Sequence, residues 1–267
     1  MLASLYVSGR RGIRAMSQSH RHALILEKIQ ASGFVSIDEL VEFFQVTPQT
    51  IRRDLNQLAM EQNISRHHGG AGLESSTVNT SYQMRKVLNL EAKEKIAAAL
   101  VKIIPDGASL FINIGTTNEI IARALLNHRD LQVVTNNLHV ASILGVKEDF
   151  SVIIAGGEVR HSDGGVIGEA TSDFINQFHM DFGIIGISGI LSDGSLLDFD
   201  YREVLVAQAI IQNSRQVLLA TDHSKFGRNA MVRLGTIGQA DHLFTDTPPP
   251  EEIMAALDEY QVILHMV

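Results

Sequence analysis

From about residue 20, apolar residues three to four positions apart predict two short amphipathic helices. The first helix has apolar residues three to four positions apart and ends at a serine–glycine pair; these residues are Leu24, Ile25, Ile29, Ser32 and Gly33. The second helix has four apolar positions on one face, at Ile37, Leu40, Val41 and Phe44. Ser36 and Glu39 predict a capping box at its start, because the serine accepts from a free amide and the glutamate bonds back to the backbone.

A third helix is predicted to follow Thr47, which acts as N-cap, and to begin at Pro48, whose missing N–H is harmless in the first turn. At about 3.6 residues per turn, its apolar positions share one side; they are Ile51, Leu55, Leu58 and Ala59. The opposite side carries groups that bond base edges and phosphates in the major groove of DNA, at Gln49, Thr50, Arg53, Asn56 and Gln57. The solvated face of an ordinary three-helix bundle has the same pattern. Asp54 borders the apolar side, so we expect it to pair with a nearby arginine.

A short strand, a basic tip and a glycine run follow this helix. Residues 64–72 read ISRHHGGAG, which predicts a β-hairpin, the wing of a winged helix-turn-helix. Such a wing places Arg66, His67 and His68 against a phosphate backbone or a minor groove. Paired histidines are also a metal-ligand type, but no carboxylate or thiol lies at ligand spacing. We therefore predict no metal site here.

Short apolar runs alternate with helical stretches through the rest of the chain, after a small polar segment at residues 72–81 and a helix through residues 91–104. The runs lie at residues 110–114, 131–134, 151–155, 182–187, 217–220 and 242–244. They are apolar on both faces and predict a buried parallel sheet, with crossover helices at residues 119–126, 201–213 and 251–259. The expected fold class is α/β, a three-layer and mostly parallel sheet behind an N-terminal winged helix-turn-helix. The expected boundaries are 1–16 for an extension, 17–72 for the winged domain, 73–90 for a linker and 91–267 for the second domain.

Small polar residues follow the carboxyl ends of several predicted strands, the edge at which open parallel sheets bind ligands. Gly115, Thr116 and Thr117 begin a helix after the first strand and offer amides and hydroxyls to an anion. Lys225 adds a cation after the fifth strand, which makes a phosphate clamp with that loop. Further candidates at this edge are Thr135, Asn136, Gly156, Gly157 and Gly189. A tight turn explains each glycine motif equally well, but their common edge favours an anion site.

Composition and charge add two constraints. The 267-residue chain has no cysteine, which excludes disulfides and thiolate sites and favours the cytoplasm, and no apolar run reaches the roughly 18–20 residues of a membrane span. Its net charge of −8 divides into +2 over residues 1–85 and −10 over residues 86–267. This division fits two domains with different partners, although chance fluctuation also explains it. The first fifteen residues carry three arginines and are expected to be an upstream-start extension or a basic arm that touches phosphates.

The run TIRRDL at residues 50–55, with Arg21, Ile25, Ile29 and Thr47, resembles the helix-turn-helix of the DeoR-type bacterial repressors. The resemblance extends from about residue 20 to the C-terminus. It implies a second domain similar in fold to ribose-5-phosphate isomerases and glucosamine-6-phosphate deaminases. It implies a homodimer or homotetramer, because one winged domain reads too few bases for selectivity. The residues it implies for contact with DNA are Thr47, Gln49, Thr50, Arg52, Arg53, Asn56, Arg66, His67 and His68.

Three further segments look like those of family members that control glycerol 3-phosphate metabolism: residues 66–71 (RHHGGA), 197–201 (LDFDY) and 222–231 (DHSKFGRNAM). They imply two partners, double-stranded operator DNA and a small phosphorylated effector, glycerol 3-phosphate, with no cofactor. They also add Asp200 to the effector residues. Asn113 stands where the family usually has an acidic residue, and an amide cannot serve as a general base.

Two alternatives remain open. The first is a DeoR-type activator, or a repressor that responds to another sugar phosphate. The second is a sugar-phosphate isomerase or deaminase with an accessory DNA-binding domain, whose acid–base groups would come from His161, Asp163, Asp198, Asp200 and His223. A nucleotide-binding enzyme is disfavoured because neither G-x-x-x-x-G-K-[ST] nor a well-placed G-x-G-x-x-G occurs.

Overall fold

The computed structural model describes residues 18–32, 34–61, 64–67, 69–73 and 79–267. The chain divides into two compact units, Met1–Leu73 and Glu74–Val267, here called the N-terminal and C-terminal units. The predicted extension at residues 1–16 lies outside the described residues. Within the described part of the chain, none of the helices has the length and apolar character needed to cross a membrane.

The N-terminal unit is a winged helix-turn-helix, as predicted. Its elements are α1 (Gln18–Ser32), β1 (Phe34–Ser36), α2 (Ile37–Phe44), α3 (Pro48–Glu61), β2 (Ile64–His67) and β3 (Gly70–Leu73). The strands form an antiparallel sheet in the order β1-β3-β2, and β1 was not predicted. The predicted apolar positions Ile25, Ile29, Leu40, Ile51 and Leu55 are fully buried in one core.

Both predicted helix starts in this unit are present. The Ser36 hydroxyl accepts from the Glu39 backbone N–H at 3.1 Å, and the Glu39 carboxylate accepts from the Ser36 N–H at 2.9 Å. The Thr47 hydroxyl accepts from the Thr50 N–H at 3.2 Å in the first turn of α3. These local bonds fix where α2 and α3 begin and therefore which residues of α3 face outward.

The C-terminal unit is built on seven parallel strands in the order β15-β14-β12-β9-β4-β5-β6. These strands are β4 (Ser109–Ile112), β5 (Gln132–Thr135), β6 (Ser151–Ile154), β9 (Met180–Ile185), β12 (Ser214–Ala220), β14 (His242–Thr245) and β15 (Ile263–Met266). The first six match the predicted runs, and β15 adds an edge strand that was not predicted. Two small sheets, β7 (Glu158–Val159) with β8 (Val166–Ile167), and β10 (Gly189–Ile190) with β11 (Ser195–Asp198) and β13 (Val232–Thr236), were also not predicted.

Helices cover both faces of the sheet. One face packs against α5 (Leu90–Leu100), α6 (Thr116–Leu125) and α7 (Leu138–Leu144), and the other against α8 (Glu169–Ile175), α9 (Tyr201–Gln212) and α10 (Glu251–Tyr260). Alternate residues of one strand enter different cores, since Leu110 and Ile112 lie in the first and Phe111 in the second. The predicted three-layer α/β architecture is confirmed.

The strand order reverses between β4 and β9. From β4 the chain moves outward through β5 to β6, and it then returns to the other side of β4 to form β9, β12, β14 and β15. A crevice at the carboxyl ends of two such strands is the usual ligand site of an open parallel sheet. The loops after β4 and β9 are therefore the place to look for a site.

One part of the predicted linker is structured. Residues 82–87 form helix α4 (Tyr82–Val87), which begins where the Ser81 hydroxyl accepts from the Met84 N–H. The helix predicted through residue 104 ends earlier, since α5 gives way to a 3-10 turn at Val101–Ile103. Small polar residues before α4 favoured a linker, but side chains of α4 form bonds to distant parts of the C-terminal unit.

Candidate nucleic-acid interface and anion site

The predicted outward face of α3 is accessible in the N-terminal unit. The side chains of Gln49, Arg52, Arg53 and Asn56 are exposed, with the N-cap Thr47, and Thr50 is half-buried. On the opposite side, Ile51 and Leu55 are fully buried. The helix therefore offers donors and acceptors on one exposed face near its N-terminus, the geometry with which recognition helices enter a major groove.

Asp54 forms the predicted arginine pair. Its carboxylate accepts from the Arg21 Nε at 2.5 Å and Nη2 at 3.0 Å, and it lies 3.1 Å from the Nε2 atoms of both His22 and Gln18. Burial opposes its ionisation, but the bonds from Arg21, His22 and Gln18 lower the pKa of Asp54 below its ordinary value. Asp54 thus ties α1 to α3 and orients the exposed face, which is a structural role.

The predicted wing is a hairpin of β2 and β3, in which Arg66 pairs with Ala71 and His67 with Gly70. Gly69 has a φ of +87°, a conformation that suits glycine in this turn. Its carbonyl accepts from the Ile37 N–H at 2.7 Å, which joins the wing to the start of α2. The side chains of Arg66 and His67, and His68 as a whole, lie outside the described residues, so their contact with DNA stays a prediction.

In the C-terminal unit, the loop after β4 leads into α6 at the strand-order reversal. Gly115, with a φ of +146°, precedes the helix, and Thr116 is buried in its first turn. The Asn118 side chain donates to the carbonyls of Asn113 at 2.9 Å and Ile114 at 3.2 Å, which holds the loop against the strand. The Asn113 Oδ1 is buried and has no hydrogen-bond partner among the described residues.

Four basic side chains lie beside this loop; we call Lys93, Lys225 and Arg228 the cation cluster, and the charge of the neighbouring Arg85 acts on all three. The Lys93 Nζ donates to the Thr116 hydroxyl at 3.2 Å. Burial and the charges of Arg228, Lys93 and Arg85 together lower the pKa of Lys225 to about 7, against the opposing effect of Asp222. Burial likewise lowers the pKa of Lys93 to about 8 and of Arg228 to about 10. A phosphate anion would relieve this mutual repulsion and gain charge-assisted hydrogen bonds.

A second set of charges surrounds Arg160. Its guanidinium pairs with Asp163 at 2.8 Å, Glu203 at 2.7 Å and Asp200 at 3.3 Å. Asp200 also caps α9 by accepting from the Arg202 N–H at 2.9 Å. Asp200 therefore has a structural role, as the cap of α9 and a partner of Arg160, and its contact with an effector stays a prediction.

Several other predicted residues have clear packing roles. The Thr135 hydroxyl donates to the Ile112 carbonyl at 2.6 Å, and the Asn136 Nδ2 donates to the Val166 carbonyl at 3.0 Å. The Asn136 Oδ1 is buried, with no partner in the described part of the chain. The Thr117 side chain is half-buried, and its contact with a ligand stays a prediction. These residues build the edge of the sheet, and their contact with a ligand stays a prediction.

The candidate glycines differ in the space that a Cβ atom would have at each position. A Cβ at Gly157 would lie 2.1 Å from the Thr171 hydroxyl, and one at Gly189 would lie 1.9 Å from the Arg228 carbonyl, whereas one at Gly156 would meet nothing within 4 Å. Gly189 therefore permits the close approach that seats Arg228 in the cation cluster. Close packing accounts for Gly157 in the same way.

The sequence reasoning missed Lys93, Arg85 and Arg228. Arg228 lies inside the segment 222–231 that carried a family resemblance, so a signal was present for it. Lys93 and Arg85 lie on α5 and α4, which were interpreted as an ordinary helix and as a linker. Only the fold brings them to the carboxyl edge of the sheet.

The aspartates and histidines suggested for acid–base chemistry, and the neighbouring Glu203, lie in different electrostatic surroundings. Although burial opposes it, bonds from Arg160 lower the pKa of Asp163, which makes it a weaker base. Burial raises the pKa of Asp198, and burial with the neighbouring charge of Asp198 raises the pKa of Glu203 to about 8. His223 pairs with Asp246 at 2.5 Å, whereas His161 is exposed. The described residues contain no group of three or more His, Asp or Glu side chains that could hold a metal ion.

Comparison with known proteins identifies both units. Residues 21–77 match the DeoR-like helix-turn-helix domain, and residues 88–247 match the DeoR C terminal sensor domain. The glycerol-3-phosphate regulon repressor of Escherichia coli (strain K12) is 58% identical over 251 residues, which cover 94% of this chain and 100% of that one. The repressor of the same name from Haemophilus influenzae is 53% identical over 249 residues, with coverages of 93% and 97%.

Among solved structures, ribose 5-phosphate isomerase A from Methanocaldococcus jannaschii is similar over 52% of this chain and 55% of its own. The identity is 14% and the TM-score is 0.38.

Proposed function

The chain belongs to the DeoR family, and on that premise we propose that it is a transcriptional repressor of glycerol 3-phosphate metabolism genes. The N-terminal unit binds operator DNA, and glycerol 3-phosphate bound in the C-terminal unit releases it. The protein acts in the cytoplasm as a homodimer or homotetramer, because paired winged domains are needed to read repeated half-sites selectively.

The operator half of the proposal is supported by the exposed face of α3. Gln49, Arg53 and Asn56 are exposed near the start of a helix whose other side is buried, so they can reach base edges while the core stays closed. Thr47, Thr50 and Arg52 flank them and suit phosphate contacts. In this proposal, Arg66, His67 and His68 of the wing contact the adjacent backbone or minor groove.

The effector half rests on one observation, the cation cluster beside the Thr116 loop. Burial lowers the pKa values of Lys225 and Lys93, and the charges of Arg228, Lys93 and Arg85 add to the effect at Lys225; an anion is the ligand that removes this repulsion. Glycerol 3-phosphate supplies one phosphate for the cluster and two hydroxyls for the polar groups nearby. Its assignment follows the names of the relatives described above, which share nearly the whole chain.

The test is a release titration at fixed salt. A duplex selected by the full chain from a random pool serves as operator, and glycerol 3-phosphate is titrated into the complex while its gel mobility is followed. We expect release with a coupling of about 1–3 kcal/mol, or roughly 5–150-fold in affinity. If glycerol 3-phosphate has no effect and another sugar phosphate releases the duplex, the effector assignment is wrong and the regulator class stands. Turnover of glycerol 3-phosphate or of an aminosugar phosphate by the pure protein would favour the enzyme alternative.

A further inference from the structure

Residues 79–89, which we call the strap, follow the N-terminal unit after only five intervening residues, 74–78. The strap contains α4 and the residues on either side of it. It is bonded to several parts of the C-terminal unit. The Tyr82 hydroxyl donates to both carboxylate oxygens of Glu119 at 3.0 Å, and the Asn89 side chain donates to Asp222 at 2.8 Å.

Further strap contacts involve the cation cluster and the buried Asp163. Arg228 donates to the side chains of Asn79 at 2.8 Å and Thr80 at 3.3 Å. Arg85 pairs with Asp163 at 3.2 Å. The strap is therefore held in part by Arg228, one of the residues to which we assign the phosphate, and its acidic partners Glu119, Asp163 and Asp222 are all buried.

One backbone group of the strap occupies the donors of the anion site. The carbonyl of Arg85 accepts from the Lys93 Nζ and from the Thr116 hydroxyl, the latter at 3.2 Å. A carbonyl is a neutral acceptor, whereas hydrogen bonds to an ionised acceptor are roughly twice as strong. A phosphate at this loop therefore competes with the Arg85 carbonyl for both donors.

We propose that the strap is an internal ligand of the anion site, whose docking favours the operator-binding form and which the effector phosphate displaces. This inference rests on the proposed function and adds the route by which effector binding reaches the N-terminal unit. Docking of the strap and binding of the phosphate draw on the same donors, so each weakens the other.

Competition predicts that weaker docking makes the effector more potent. Tyr82→Phe removes the hydroxyl that bonds Glu119 and leaves the ring, which stacks on His139 with centroids 5.2 Å apart. We expect the glycerol 3-phosphate concentration that releases half of the selected duplex to fall about tenfold. Tenfold corresponds to about 1.4 kcal/mol, the size expected for a hydrogen bond to a charged group. The matched control is Tyr260→Phe, a half-exposed ring on α10, for which we expect no shift.

The experiment combines this titration with hydrogen exchange on the full chain, with and without saturating glycerol 3-phosphate. We expect faster exchange of the strap amides of Arg85 and Leu88, which are bonded to the carbonyls of Ser81 and Met84. If the wild-type complex is released while these amides are unchanged or slower, or Tyr82→Phe behaves like Tyr260→Phe, the strap inference is overturned and the proposed function stands. If neither glycerol 3-phosphate nor another sugar phosphate releases the wild-type duplex, both proposals fail.

Discussion

Replacing Asp54 by asparagine tests whether the buried ion pair of the N-terminal unit holds the recognition helix in place. Asp54 is 1% exposed and accepts two hydrogen bonds from the Arg21 guanidinium, so the amide removes the negative charge of this pair. Breaking such a pair by removing one partner costs about 3–5 kcal/mol. A unit of this size has a free energy of unfolding of only about 4–11 kcal/mol. We take the lower end of that range, about 3 kcal/mol, as the expected loss, because the Arg21 side chain is still 10% exposed.

The assay is scanning calorimetry of the full chain, with duplex binding measured in parallel. A loss of about 3 kcal/mol lowers the Tm of a domain of this size by about 12–24 °C, and the transition of the C-terminal unit should not move. Asp38→Asn is the matched control, an exposed aspartate in the first turn of α2 that should change stability by about 0.5 kcal/mol. Equal shifts for Asp54→Asn and Asp38→Asn would refute the assigned role of the pair.

The pH dependence of this effect has a defined sign. The pKa of Asp54 is lowered in the folded state, so its stabilisation is complete above the unfolded value of about 3.9 and is lost as pH falls through the folded value. The difference between wild type and Asp54→Asn should therefore be full at neutral pH and disappear in strong acid. A difference in stability that persists in strong acid would mean that the charge of Asp54 is not its cause.

Three further outcomes are expected. Arg53→Ala should weaken binding to the selected duplex by about 1–3 kcal/mol if Arg53 contacts a base, or reduce the salt slope of binding by about 1 if it contacts a phosphate. The affinity for glycerol 3-phosphate should not change. Fluorescence anisotropy at two salt concentrations measures the duplex affinity, and an affinity equal to that of the wild type would contradict the DNA contact. Affinity for glycerol 3-phosphate should fall as pH rises from about 7 to about 9, because the pKa values of Lys225 and Lys93 are lowered to about 7 and about 8 and a neutral amine no longer attracts the phosphate. A calorimetric affinity that does not change with pH would disprove this. Gly189→Ala should weaken the affinity for glycerol 3-phosphate at least about tenfold, because its Cβ would lie 1.9 Å from the Arg228 carbonyl and displace that backbone. An affinity equal to that of the wild type would refute the packing argument.

The sequence predicted the elements whose signals are local. The capping box at Ser36 and Glu39, the N-cap at Thr47 and the face of α3 were predictable because they depend on residues within one or two turns. The first six strands of the large sheet, five central strands and the edge strand β6, were predictable because their sequences are runs of apolar residues. Even Asp54 could be assigned to an arginine from its place at the border of the buried side.

The sequence suggested only part of the proposed anion site, because its members are far apart in the chain. Thr116 and Lys225 follow strands, so the parallel topology placed them at one edge. Lys93 and Arg85 lie on helices before the first central strand, and no periodicity distinguishes them from surface residues. The role of α4 as part of the C-terminal unit likewise depends on Glu119 and Asp163, residues that are 37 and 78 positions from their strap partners.

The central claim is that operator DNA and glycerol 3-phosphate bind to two different parts of one chain and oppose each other. Calorimetric titration of glycerol 3-phosphate into the full chain alone, and into the chain saturated with the selected duplex, tests it most directly at a single salt concentration. Linkage requires the effector Kd to be weaker on DNA by the same factor, roughly 5–150-fold, by which the effector weakens duplex binding. Equal effector Kd values with and without the duplex would contradict the account.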